Sequence, residues 1–77
     1  MRLANNFEEL KELLNKTAID YDVAFKVDEI TIDQLNRFFN ALFKEKNSLF
    51  FTDDMSEVEI LDLASQLLIE FEVEQSD

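Results

Sequence analysis

The chain has 77 residues, eighteen acidic and seven basic side chains for a net charge of −11, and no histidine, cysteine, glycine or proline. That length suits one small domain, 1–77, with a thin core, while 47% apolar residues, eight of them phenylalanine, exclude a disordered acidic tail. Without cysteine there is no disulfide framework, thiol nucleophile or zinc-finger spacing, and without histidine the commonest general base and metal ligand is missing.

Average usage would place roughly nine glycines and prolines in a chain this long. Their absence disfavours tight hairpins, which use glycine at positive φ, and favours helices joined by Asn- and Asp-containing turns. Residues 1–6 lead into a charged amphipathic stretch, and the longest unbroken apolar run is three residues. Neither a secretory leader nor a membrane span is expected, so the sequence predicts a cytoplasmic protein.

In chain order, the first helix is predicted over about 7–16. Phe7, Leu10, Leu13 and Leu14 share one face, and Asn6 with Glu9 three residues on supplies a cap. From Ile19 the period changes to two: Ile19, Tyr21, Val23, Phe25 and Val27 are apolar, with Asp20, Asp22, Ala24, Lys26 and Asp28 between them. That alternation predicts a short strand over about 19–27, with 49–52 as its partner.

Thr31 and Gln34 open a second helix, 32–46, whose stripe is Ile32, Leu35, Phe38, Phe39, Leu42 and Phe43, with Asn36 and Asn40 on the polar side. Asn47 is the expected left-handed cap in a chain without glycine. Ser56 and Glu59 form a capping box for a third helix, 55–72, with Ile60, Leu61, Leu63, Ala64, Leu67, Leu68 and Phe71 inward. Residues 75–77 read as a flexible tail. The expected fold is therefore mainly α, three amphipathic helices with one or two short strands; the alternative is an all-α small bundle.

Charge is distributed unevenly. Residues 1–46 hold nine acids and all seven bases, whereas 47–77 hold nine acids and no base. On the third helix Glu59, Asp62, Gln66 and Glu70 form an outward group at the spacing of helix neighbours, about 5–6 Å. Val58 and Ile69 lie on the same outward half. Glu70, Glu72 and Glu74 crowd the C-terminal end, where negative charge opposes the helix dipole. Asp53, Asp54 and Glu57 make a second cluster ahead of the helix. A solvated, solubilising face is the plain account of such acids; a surface that meets a basic partner is the sharper one.

Chemical motifs are absent. An EF-hand register beginning at Asp20 places Phe25 where glycine is needed and Thr31 where a bidentate Glu is needed. Asp53, Asp54 and Glu57 match no metal-binding loop and read as a helix start, so no metal or other cofactor is expected. There is no phosphate-binding loop and no Ser–His pair, so no catalytic residue is assigned and no enzyme activity is expected. Phe38, Phe39 and Phe43 with Phe50 and Phe51 read as core; Phe50 and Phe51 would face opposite ways if extended, leaving one as an exposed anchor.

In size, acidity and lack of catalytic groups the chain is similar to the small inhibitors that phages and mobile elements direct at nucleic-acid enzymes, such as anti-restriction and anti-CRISPR proteins. The likeness is one of composition. Together these features predict an acidic protein-binding module that mimics nucleic-acid charge and blocks a basic groove, through Glu59, Asp62, Glu70, Glu72, Glu74, Asp53, Asp54, Glu57, Val58 and Ile69. Direct binding to nucleic acid is not expected, because a surface this acidic repels phosphates. The alternatives are a homodimeric or adaptor assembly protein joined through exposed apolar surface, and an antitoxin- or immunity-type protein.

Overall fold

The structure, a computed structural model, describes residues 2–76. Three helices make up the fold: α1 Phe7–Asp20, α2 Ile32–Phe43 and α3 Glu57–Gln75. Among the described residues there is no β-strand, so the all-α bundle holds and the two expected strands do not. The Cα radius of gyration is 11.4 Å, against about 11.5 Å for a compact chain of this length. One core serves all three helices. Leu10, Leu14 and Ala18 of α1 meet Leu35, Phe38, Phe39 and Leu42 of α2 and Ile60, Leu61, Ala64, Leu67, Leu68 and Phe71 of α3.

The N-terminal caps follow the sequence. Asn6 Oδ1 accepts from Glu9 N–H at 2.9 Å, and Thr31 Oγ1 from Gln34 N–H at 3.1 Å. At α3 the capping box is complete: Ser56 Oγ takes the Glu59 N–H and the Glu59 carboxylate takes the Ser56 N–H. Each pairing satisfies a donor that a helix start otherwise leaves open.

The C-terminal ends differ from expectation. α1 continues four residues beyond Lys16, because Thr17 and Ala18 extend its buried stripe and Lys16 pairs with Asp20 at 3.1 Å. Ile19 therefore sits in a helix, 81% exposed, rather than on the inner face of a strand. α2 stops at Phe43, three residues early, and Lys44 rather than Asn47 takes the left-handed conformation, at φ 59°. Lys44 N–H donates to the Ala41 carbonyl and Glu45 N–H to that of Asn40, the two bonds of a Schellman motif. The same motif closes α1. Asp22, at φ 58°, donates to Ile19, and Val23 donates to Ala18. Of the tail expected at 75–77, Gln75 closes α3, Ser76 caps it, and Asp77 lies outside the described residues.

The alternation read as a strand survives in part as an extended segment. Val27 is buried, Val23 and Phe25 are half-buried, and Ala24, Lys26 and Asp28 face out. Among the described residues no strand pairs with it. Asn15 of α1 instead supplies both halves of the missing bond pair: Val27 N–H donates to Asn15 Oδ1 at 2.8 Å, and Asn15 Nδ2 donates to the Val27 carbonyl at 3.0 Å. Residues 49–52 are held the same way from α2. Asn36 Oδ1 accepts from the N–H groups of Phe50 and Phe51, both at 2.8 Å, while its Nδ2 donates to the Phe51 carbonyl at 3.0 Å. Asn40 makes the equivalent pair with Ser48. Asn36, expected on the polar side, is thus buried. A side-chain amide has the donor and acceptor of a peptide group, so one asparagine replaces one residue of a neighbouring strand.

Candidate partner-binding surface on the third helix

The outward side of α3 is built by its period. Its inward side carries the core residues from Ile60 to Phe71, leaving Val58, Glu59, Asp62, Gln66, Ile69, Glu70, Glu72, Val73 and Glu74 exposed; Glu57, on the inward face by period, is exposed as the first residue of the helix. Ile69 and Val73, one turn apart, form an apolar stripe, and Val73 is 66% exposed. Residues two apart on a helix are turned about 200° from each other. Glu70 and Glu72 therefore lie on opposite flanks of that stripe, and Glu74 follows Glu70 one turn later. Asp62, Gln66, Ile69 and Glu70 line one shallow hollow of about 190 Å³.

Several of the expected residues already have intramolecular partners. Glu59 is held by its capping box. Asp62 accepts from Arg2 Nε at 2.9 Å, and Ser65 beside it accepts the Leu3 N–H at 2.8 Å, so the N-terminal segment lies against the middle of α3. The Asp54 carboxylate accepts from the Thr52 hydroxyl. Among the described residues of 47–76, Asp62 alone stands in an ion pair; Glu57, Glu70, Glu72, Glu74 and Asp53 have no cation within 4 Å.

The structure brings Asp62, Ile69 and Glu70 together but keeps the two acid clusters apart. Asp53 and Asp54 precede α3 and Glu74 lies in its last turn, and a helix of 19 residues spans about 28 Å. Among the described residues no three carboxylates gather closely enough to hold a metal ion, and no helix is long and apolar enough to cross a membrane.

The exposed anchor expected from Phe50 or Phe51 is neither of them in full. Phe51 is buried and Phe50 half-buried against Phe39 and Phe43, while Leu49 beside them is 73% exposed. Sequence reading also missed Val73 and Arg2. Val73 had a signal, its place one turn beyond Ile69; Arg2 had none, since its partner Asp62 lies 60 residues away. Searches found no matching family model, curated protein or solved structure.

Proposed function

We propose that the protein is a non-enzymatic binding module that presents the acidic outward side of α3 to a basic groove on a nucleic-acid-binding protein and thereby blocks it. The observation carrying this reading is the set of free carboxylates Glu70 and Glu74 on one flank of the Ile69–Val73 stripe and Glu72 on the other, in the segment 47–77 that holds no base. Glu70 and Glu74 repeat at about one helix pitch, 5.4 Å, comparable to successive phosphates on a strand that rises 3.4 Å per nucleotide and also winds. Lysines at 70, 72 and 74 would favour the helix dipole; acids there oppose it. Val58, Ile69 and Val73 add apolar contact area beside the charge.

The test is capture from a cell lysate at low and high salt, with competition by duplex DNA. The native chain is expected to capture basic nucleic-acid-binding proteins at low salt and to lose them to high salt or to DNA. The combined variant Glu70→Lys, Glu72→Lys, Glu74→Lys, checked for helix content, is expected to capture none. Capture retained by that variant, or recovery of the chain's own copies alone, overturns the reading, and the second result favours the assembly alternative.

A further inference from the structure

The C-terminal ends of all three helices open onto one groove of about 600 Å³. Tyr21 and Asp22 follow α1, Phe43 ends α2 and Lys44 follows it, and Phe71 and Glu74 belong to the last turns of α3. The rings of Tyr21 and Phe43 both meet Phe71 edge to face, at 4.7 and 5.7 Å between centroids. No helix has a basic residue in its last turn. Each end therefore brings about −0.5 elementary charge, offset by no basic side chain at α1 and α3 and met at α2 by Lys44 just beyond its last turn.

We infer that this groove receives a cationic side chain, the guanidinium or ammonium of a basic protein partner. Three helix C-termini and the exposed carboxylates of Asp22 and Glu74 supply negative potential around aromatic walls, the combination that attracts a cation. Charge complementarity selects this occupant: an anion would face the carboxylates of Asp22 and Glu74 with Lys44 as the one opposite charge in the lining, and an apolar group leaves Asp22 and Glu74 unanswered. Lys44 stands at the rim without a carboxylate within 4 Å among the described residues, so it competes with the incoming cation. The inference rests on the proposed function only for the source of the cation, and it gives the partner a specific contact in addition to a diffuse field.

The probe is N-acetyl-arginine amide, titrated into the full-length ¹⁵N-labelled chain and followed by amide shifts. Saturable shifts are expected at 21–24, 41–44 and 71–75. Asp22→Asn combined with Glu74→Gln is expected to weaken binding about tenfold, near threefold for each exposed carboxylate, and Lys44→Ala to strengthen it about threefold. Asparagine tolerates the left-handed backbone at 22, so the first variant keeps the helix end. Shifts that grow linearly and spread along all of α3, or an affinity unchanged in the double variant, overturn the inference. The two readings separate cleanly: capture competed by DNA without saturable arginine binding removes the groove and leaves the acidic module, whereas saturable binding without capture does the reverse.

Discussion

Asn36 holds Phe51 by both polar groups of its backbone, accepting from the N–H at 2.8 Å and donating to the carbonyl at 3.0 Å, with the Phe50 N–H as a third bond. The amide and Phe51 are buried together, and the Phe51 ring is fully covered. Phe51 packs against Phe39, one turn of α2 below Asn36, with ring centroids 5.7 Å apart. A polar side chain in the core thus fixes the register of an apolar one.

Removing that amide is expected to be expensive, because buried backbone groups would lose their partners with no water to replace them. Asn36→Leu should cost about 2–3 kcal/mol in urea unfolding, the penalty of leaving buried donors and acceptors unmade. Asn47→Ala, at an exposed position that makes none of these bonds, should stay within about 0.5 kcal/mol of the native chain. Equal effects at the two sites would show that the amide ladder is not what holds 48–51.

Two residues with side chains occupy the left-handed conformation where glycine is usual. For a residue with a Cβ that conformation costs about 1–2 kcal/mol, although Asp22 recovers part of the cost because short polar side chains tolerate it. Lys44→Gly is therefore expected to raise stability by about 0.5–1 kcal/mol, and Asp22→Gly by less. Thermal or urea unfolding measures both. Destabilisation by Lys44→Gly would mean that the lysine stem contributes packing of greater worth.

The pair of Arg2 with Asp62 joins two partly exposed groups, and its contribution to stability is small, at most about 0.5 kcal/mol. Its larger effect is on the charge of α3. Arg2→Ala should leave the unfolding midpoint nearly unchanged and strengthen low-salt capture of a basic partner by about twofold to fivefold, because one more carboxylate becomes free. Unchanged capture would place Asp62 outside the contact.

Much of the fold was legible in the sequence because helices declare themselves locally. The stripe from Leu35 to Leu42, the stripe from Ile60 to Phe71, and the caps at Asn6, Thr31 and Ser56 all depend on residues within one or two turns of each other. The exposure of Asp62, Gln66 and Glu70 followed from the same period. The strands failed for the complementary reason. Period two at Val23, Phe25 and Val27 reports which side chains turn inward, and that part held; it does not say what satisfies the backbone.

The sequence alone therefore determined the three helices, most of the core and the acid bias of residues 47–77, since periodicity, capping and charge are properties of neighbours along the chain. Tertiary structure alone decided that Asn15, Asn36 and Asn40 would stand in for a missing strand, that Arg2 would reach Asp62, and that Tyr21, Phe43 and Phe71 would share a groove. Each of these joins groups on different segments, from 8 to 60 residues apart, and which segments meet is set by how the helices pack on a common core.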